Sequence, residues 1–295
     1  MYVVATPASN GIAARLARAI KADLVIVESK TFPDGETYVR VPQRLNDTVV
    51  VVHSLHPPQD SNFLKLLLVL DAVRGAGARE VVAVVPYLAY ARQDKRFLEG
   101  EPVSVGVVLK SIEAAGASAL VAVDIHAPKS LDQWLTIPHA NAMPVPELAE
   151  YFKGKLQGDA IVLAPDAGAL ERAKLAASVL GVDYDYIEKR RDRVTGEVQA
   201  LPKSLDVMDK TVLIVDDIIS TGGTIALASK SALENGAREV YAACTHALLV
   251  SGALDKIYAA GVSDVVATDT VPSPVSKVSA VRSVIRALKE IGFIE

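Results

Sequence analysis

The chain has 295 residues, a formal net charge of −4 and an apolar fraction of 51%. This length is natural for two globular domains, and the slightly acidic balance gives no reason to expect nucleic acid or a membrane as a partner. The single cysteine, Cys244, excludes an intrachain disulfide and fits a reducing cytoplasm.

The first predicted element is a strand at residues 1–5, where a secretory signal peptide would carry a basic segment and then an apolar one. The most apolar stretch, residues 64–70, is interrupted by Lys65 and followed by Asp71, so it is too short to span a bilayer. We therefore expect a cytoplasmic protein.

Two motifs in the first half of the chain contain candidate site residues. Residues 32–36, Phe-Pro-Asp-Gly-Glu, combine proline and glycine with acids, which predicts a hairpin turn with no further role by default. Arg92 and Gln93 lie in a basic run after the predicted strand 81–85. Such a run is more often a solvated loop, but ligands bind at the carboxyl ends of the strands in open α/β sheets.

Two further predicted strands end in candidate ligand-binding residues. The strand 119–123 leads into Asp124 and His126, and the strand 160–163 leads into Asp166. A lone histidine is usually structural, but we expect Asp124 and His126 to share one strand face, which favours a polar site.

A basic run, Lys189-Arg190-Arg191, follows the predicted strand 184–187. Such a run is commonly a solvated surface. Here we expect it to lead into a loop near the sheet edge that carries an acid pair further along the chain.

The most informative run is residues 212–224, Val-Leu-Ile-Val-Asp-Asp-Ile-Ile-Ser-Thr-Gly-Gly-Thr. Its apolar start predicts a buried parallel strand with Asp216 and Asp217 at its carboxyl end, and residues 225–235 predict a helix. Between them lies the small-residue loop, defined as Ser220, Thr221, Gly222, Gly223 and Thr224. A loop of this kind at a helix N-terminus presents backbone N–H groups to phosphate, and the carboxylates suit sugar hydroxyls or Mg²⁺. The run therefore predicts a binding site for a phosphorylated sugar. The alternative is a buried strand followed by an ordinary helix N-cap, with both acids simply exposed to solvent.

Several segments recur in the same order in the two halves of the chain. Residues 77–81 recur as 236–240, and the predicted strand 48–52 aligns with 211–215. The sequence therefore predicts two tandem α/β domains, each a mostly parallel sheet flanked by helices. We place them at residues 1–143 and 144–295, with the possibility that the last helix packs back on the first domain.

The first half carries a degenerate copy of the informative run. Residues 53–58, His-Ser-Leu-His-Pro-Pro, stand where the second half has the acid pair and the small-residue loop. Prolines lack the backbone N–H that a phosphate needs. We therefore predict that the first domain has lost sugar-phosphate binding and contributes in another way.

The run 212–224 resembles the phosphoribosyl diphosphate (PRPP) signature of type I phosphoribosyltransferase-like domains. With Phe-x-Asp-Gly-Glu, Arg-Gln-Asp, Asp-x-His, Pro-Asp-x-Gly and Lys-x-Arg before it in that order, the chain resembles the ribose-phosphate pyrophosphokinase (PRPP synthetase) family, most closely its archaeal branch. The resemblance implies two such domains and an enzyme that transfers the β,γ-diphosphate of ATP to the C1 hydroxyl of ribose 5-phosphate, giving PRPP and AMP.

The resemblance also implies residue roles and partners. It assigns catalysis to Lys189 and Arg191, on a mobile loop that closes over the transition state. It assigns Mg²⁺ to His126 and Asp166, although histidine is an unusual ligand for this hard cation. It further implies a homo-oligomer in which residues 32–36 complete a neighbouring subunit's site. Substrate contacts fall on Phe32, Asp34, Gly35, Glu36, Arg92 and Gln93 for ATP, and on Arg191, Asp216, Asp217, Ser220, Thr221, Gly222, Gly223 and Thr224 for ribose 5-phosphate.

One departure and two alternatives stay open. Many relatives carry a third acid where this chain has Ser220, so no general base is assigned in the small-residue loop. A catalytically silent relative that regulates a true synthetase would share most of the pattern, but Lys189, His126 and Asp216 are all present. A phosphoribosyltransferase that consumes PRPP would share the last run, but the adenine-type motifs of the first half argue against it.

Overall fold

The computed structural model describes residues 1–156, 158–187, 189–191, 198–200 and 206–295, with only the backbone described at 189–191 and 198–200. The chain divides into two compact units. The first contains Met1–Met143 and Ala280–Glu295, and the second contains Pro144–Ser279. In the described part of the chain, no helix has the length and apolar character needed to cross a membrane.

The first unit is a parallel sheet with helices around it. Its elements are β1 Tyr2–Ala5, α1 Ile12–Ile20, β2 Asp23–Ile26, β3 Glu28–Thr31, β4 Thr37–Arg40, β5 Thr48–Val52, α2 Gln59–Gly75, β6 Glu80–Val85, α3 Ser104–Ala114, β7 Ala119–Val123, α4 Lys129–Trp134, β8 His139–Ala142 and, after the second unit in the sequence, α9 Val281–Glu290. The strand order is β2-β1-β5-β6-β7-β8, all parallel, and β3 and β4 form a separate antiparallel hairpin.

The core of the first unit lies on both faces of this sheet. The central strands are continuous apolar runs, because a parallel strand covered by helices has no solvent face; Val49–Val52 of β5 and the strand β7 are wholly buried. Helix α9 packs against β7 and β8 and buries Val284 and Leu288 in this core.

The second unit repeats this arrangement. Its elements are α5 Val145–Phe152, β9 Ala160–Ala164, a 3₁₀ turn Ala167–Ala169, α6 Leu170–Leu180, β10 Asp183–Tyr186, β11 Lys189–Arg191, β12 Val198–Ala200, β13 Thr211–Ile219, α7 Gly223–Glu234, β14 Glu239–Ala247, α8 Ala253–Ala259, β15 Val262–Thr268 and β16 Ser276–Val278. The strand order is β10-β9-β13-β14-β15-β16, again parallel, with β11 and β12 as a separate antiparallel pair.

The two strand orders are the same when the strands are matched in sequence order. The predicted fold class, two tandem α/β units with parallel sheets, is therefore confirmed. The match also makes the hairpin β3–β4 the counterpart of β11–β12, an equivalence that the sequence comparison did not predict.

Three local predictions were wrong in detail. The strand at 212–215 does not end before the acid pair: β13 continues to Ile219, because β14 is equally long and pairs with it as far as Ala247. Helix α7 begins two residues earlier than predicted, at Gly223. The resemblance implied that Lys189 and Arg191 lie on a loop, but residues 189–191 form a strand that pairs with β12.

Candidate functional site

The small-residue loop lies between β13 and α7. Gly222 is buried, whereas Thr221, Gly223 and Thr224 are exposed. Within the described residues, no side chain caps the first turn of α7. Its backbone N–H groups and the positive end of the helix dipole are thus available to an anion, and this geometry can bind a phosphate group.

Gly222 determines the path of this loop. Its φ is +75°, a conformation that strains any residue with a side chain. A Cβ there would lie 2.8 Å from the carbonyl oxygen of Ala253 and 3.0 Å from the side chain of Ile257, both in α8. Helix α8 therefore supports the loop so closely that only glycine fits.

The segment after β14 fixes the loop from another side. The N–H groups of Leu248 and Leu249 donate to the carbonyl oxygen of Ile219 at 3.0 and 3.1 Å. The N–H of Val250 donates to the carbonyl oxygen of Ser220 at 3.0 Å. Leu249 adopts a φ of +50°, and strained backbone of this kind is often found beside functional sites. These bonds hold the entry to the loop in place without a ligand.

The two acids of the pair have different surroundings. Asp217 is 5% exposed, and its carboxylate lies 3.6 Å from the guanidinium of Arg172 on α6. Asp216 is half-buried, and its burial, together with the neighbouring carboxylates of Asp217 and Asp166, raises its pKa well above the usual value. Asp216 is thus the acid more open to a ligand, whereas Asp217 interacts with the helix behind the sheet.

Asp166 has the chemistry that a hard cation requires. It follows β9, is half-buried, and accepts a hydrogen bond from the N–H of Gly168 at 3.0 Å. Its charge contributes to the raised pKa of Asp216, so the two carboxylates are near enough to repel each other. A divalent cation relieves such repulsion, and Mg²⁺ prefers oxygen ligands, so Asp166 fits Mg²⁺. Among the described residues, no three His, Cys, Asp or Glu side chains gather as a metal site.

His126 belongs to the first unit, and its predicted geometry was wrong. Asp124 and His126 do not share a strand face, because β7 ends at Val123 and Asp124 turns the chain with a φ of +41°. Asp124 is fully buried, whereas His126 is exposed. The imidazole is therefore accessible, but the carboxylate two residues before it faces the interior.

In the first unit, the positions that correspond to the acid pair are buried and carry no acid. His53 and Ser54 come directly after β5 and correspond to the two acids of β13. His53 and Ser54 are both fully buried. The Nδ1 of His53 lies 2.8 Å from the hydroxyl of Thr6, and burial lowers the pKa of His53 to about 3, so the ring is neutral at pH 7. Pro57 and Pro58 then lead into α2. This arrangement offers no carboxylate to a sugar, in keeping with the predicted loss of function.

The turn 32–36 connects β3 and β4, as predicted. The N–H of Phe32 donates to the carbonyl oxygen of Glu36 at 2.8 Å, and Asp34 accepts a hydrogen bond from the N–H of Glu36 at 3.2 Å. Every residue of the turn is exposed, and Gly35 has a φ of +97° with open space around it. Phe32 contacts Tyr38 edge to face, with Lys30 Nζ 4.8 Å from the Phe32 ring. The turn thus presents an aromatic ring and two acids to solvent.

Arg92 and Gln93 follow β6 at the edge where the parallel strands of the first unit end. Arg92 is exposed. The side-chain oxygen of Gln93 accepts a hydrogen bond from the hydroxyl of Ser104 at 2.7 Å, which ties it to the start of α3. The guanidinium is therefore accessible at this edge, while Gln93 has a fixed position.

The two predicted catalytic residues, Lys189 and Arg191, lie in β11 opposite Ala200 and Val198. Their side chains, and residues 192–197 that follow, lie outside the described residues. The backbone nevertheless places them on the second unit's counterpart of the β3–β4 hairpin, so both hairpins carry residues assigned by the resemblance.

Comparison with known proteins decides the family. Residues 1–116 match the N-terminal domain of ribose phosphate pyrophosphokinase, and residues 146–275 match the phosphoribosyl transferase domain. A ribose-phosphate pyrophosphokinase from Methanopyrus kandleri is 47% identical over 294 residues, which cover 99% of this chain and 100% of the relative. The chain belongs to the ribose-phosphate pyrophosphokinase family.

Two further comparisons agree with this family. The ribose-phosphate pyrophosphokinase of Sulfurisphaera tokodaii is 45% identical, with 95% of this chain and 97% of the relative covered. The crystal structure of phosphoribosylpyrophosphate synthetase from Mycobacterium smegmatis superposes with a TM-score of 0.84 at 28% identity, covering 99% of each chain. These comparisons confirm the family predicted from the sequence and its similarity to archaeal members. They also confirm the predicted enzyme class, a transferase of nucleotide biosynthesis.

Arg172 is a site residue that the sequence analysis missed. The other buried positions of α6 are alanines, Ala173, Ala176 and Ala177. Arg172 lies one helical turn before Ala176, on the same face. A charged residue among small buried residues indicates a buried partner of opposite charge. This pattern in the sequence could have identified Arg172.

Proposed function

We propose that this ribose-phosphate pyrophosphokinase transfers the β,γ-diphosphate of ATP to the C1 hydroxyl of ribose 5-phosphate, giving PRPP and AMP. The observation that carries the assignment of ribose 5-phosphate is the small-residue loop, with its uncapped helix N-terminus beside the half-buried Asp216. The loop would bind the 5-phosphate, and Asp216 and Asp217 would accept hydrogen bonds from the ribose hydroxyls.

The nucleotide would be bound by the first unit's motifs. The exposed ring of Phe32 can stack on adenine, and Asp34 and Glu36 can accept from its amino group. Arg92 is accessible to the anionic phosphates. This division gives each unit one substrate, in keeping with the buried, neutral His53 that replaces an acid in the first.

Charge stabilisation is the main requirement of the reaction, because the transferred group is highly anionic. Lys189 and Arg191 would supply positive charge in the transition state. Asp166 would hold Mg²⁺, and the cation would supply positive charge to phosphate oxygens when bound. Since Ser220 is no base, we assign no group of the small-residue loop to deprotonate the attacking hydroxyl.

The test of the function is a mixture of the protein with ATP, Mg²⁺ and ribose 5-phosphate. Release of AMP together with PRPP is expected. Absence of AMP from a folded protein would support the catalytically silent alternative, and a reaction that needs PRPP and a free base would support a phosphoribosyltransferase. A cytoplasmic location is also proposed, on the basis of the single cysteine, Cys244, which allows no intrachain disulfide.

Replacing Asp216 with asparagine is expected to weaken ribose 5-phosphate binding about tenfold or more, because a hydrogen bond to a charged group contributes roughly 1.5–3 kcal/mol. Binding of ATP should not change. Without Mg²⁺, the variant is also expected to be more stable at neutral pH. The pKa of Asp216 is higher in the folded protein than in the unfolded chain, so the free energy of unfolding falls as the pH rises from the unfolded-state pKa to the folded-state pKa. Asparagine does not ionise, so the variant avoids this loss.

Titration calorimetry with ribose 5-phosphate and a non-hydrolysable ATP analogue measures the first effect, and urea unfolding in EDTA from pH 4 to pH 8 measures the second. For stability, the contrasting variant is Asp217→Asn, which removes the charge facing Arg172 and should lower the free energy of unfolding by about 3 kcal/mol. Loss of ATP-analogue binding in folded Asp216→Asn would contradict the division of the substrates between the units.

We further propose that the protein is a homo-oligomer whose subunits share active sites, since the turn 32–36 is fully exposed and carries nucleotide-binding chemistry. Phe32→Ala and Lys189→Ala are each expected to be nearly inactive. Mixed in equal amounts and allowed to exchange subunits, they should recover about a quarter of the wild-type activity, because a quarter of the composite sites are then intact.

Activity after exchange, with exchange verified by native mass spectrometry, measures this recovery. The control mixes Phe32→Ala with the Phe32→Ala/Lys189→Ala double variant, which can form no intact site. Exchange without recovery would mean that Phe32 serves its own subunit.

A further inference from the structure

Arg172 carries a charge in the interior of the second unit. It is 9% exposed, on the face of α6 that otherwise buries alanines, and its guanidinium lies 3.6 Å from the carboxylate of Asp217. A guanidinium is seldom buried unless it is paired, because leaving water is costly. Asp217, in the strand that leads to the small-residue loop, is thus a partner of this buried charge.

This ion pair joins two segments of the proposed site. Helix α6 follows directly on the 3₁₀ turn that begins after Asp166. Asp217 lies in β13, beside Asp216 and three residues before the small-residue loop. The strands β9 and β13 that lead to these segments are paired neighbours, with Leu163 opposite Ile214. The Arg172–Asp217 pair adds a side-chain connection between the segment with the candidate cation ligand and the segment with the sugar-binding acid.

We propose that Arg172 is a positioning residue for ribose 5-phosphate. By holding Asp217 against α6, it fixes the spacing between the Asp166 turn and the Asp216 carboxylate, so that both meet the same sugar phosphate. The inference rests on the proposed function of this loop. Arginine suits the task better than lysine, because its planar, weakly hydrated head keeps its charge when buried and is fixed in direction.

Stability alone is a weak reason for such a pair. A buried ion pair is often no more stabilising than apolar side chains of similar volume. The same unit has a more exposed ion pair, Lys155–Asp264 at 2.9 Å, where Asp264 lies near the start of β15 and thus at the opposite edge of the sheet. Asp264 also pairs with Lys277 at 3.1 Å, and none of these three residues belongs to the proposed site, whereas Asp217 does.

The test compares Arg172→Met, Arg172→Lys and the matched control Lys155→Met, which breaks the ion pair at the other edge. Titration calorimetry measures the Kd of ribose 5-phosphate in the presence of Mg²⁺ and a non-hydrolysable ATP analogue, and circular dichroism verifies folding. We expect Arg172→Met to raise this Kd at least about tenfold, Arg172→Lys to recover part of the affinity, and Lys155→Met to stay within about twofold of the wild type. The Kd of the ATP analogue alone should be the same in all.

An unchanged Kd for ribose 5-phosphate in folded Arg172→Met would overturn the proposal, as would an equal loss of affinity in Lys155→Met. If Arg172→Met does not fold, Arg172→Lys decides: weakened binding with unchanged ATP-analogue affinity supports the positioning role, and wild-type binding overturns it. A wild-type protein that neither binds ribose 5-phosphate nor releases AMP would overturn the proposed function itself.

Discussion

Gly222→Ala is expected to weaken ribose 5-phosphate binding about a hundredfold, which corresponds to ~2.7 kcal/mol. Alanine at a φ of +75° is strained, and its Cβ would lie 2.8 Å from the carbonyl oxygen of Ala253. Because the nearest atom is a backbone oxygen of α8, which cannot move aside as a flexible side chain can, the small-residue loop must move instead. The N–H groups of the first turn of α7 then lose their common direction, and we expect stability to fall by roughly 2–4 kcal/mol.

The matched control is Gly181→Ala at the end of α6, where φ is +73° but no atom lies within 4 Å of the added Cβ. This variant shows the cost of the backbone conformation alone, about 1–2 kcal/mol, with normal ribose 5-phosphate affinity. Calorimetry and urea unfolding on both variants separate the two effects. Equal losses of stability, with normal affinity in both, would mean that α8 does not constrain the loop.

Lys189→Ala is expected to lower kcat about a hundredfold or more, with little change in the KM of either substrate. A charged group that acts mainly in the transition state contributes about 3 kcal/mol to the barrier and little to ground-state binding. Steady-state kinetics measure the effect. The control is Arg190→Ala, since the Lys-x-Arg pattern assigns no role to its middle residue. A normal kcat with a raised KM would mean that Lys189 only binds substrate.

The parallel sheets were predictable because buried parallel strands are apolar along their whole length. The prediction of the strand at 119–123 has the same bounds as β7, and one glycine of the small-residue loop, Gly222, marks a position that excludes side chains. These features depend on local composition, which a single sequence contains.

The features that were missed depend on tertiary partners. Strand β13 passes beyond its apolar run because β14 beside it continues, and polar residues alone do not show that. The position of Asp124 depends on its φ of +41°, which sequence pattern does not fix for an aspartate. The pairing of Arg172 with Asp217 joins residues 45 positions apart (217 − 172) that no local pattern connects.

The place of α9 has a consequence for how the chain folds as it is made. This helix completes the core of the first unit, yet all of Pro144–Ser279 is translated before it. The second unit has all of its segments as soon as it leaves the ribosome, whereas the first still lacks the helix that packs against β7 and β8. We therefore expect the unit that comes first in the sequence to finish folding last, and until then the apolar patch that α9 covers is a surface for a nascent-chain chaperone.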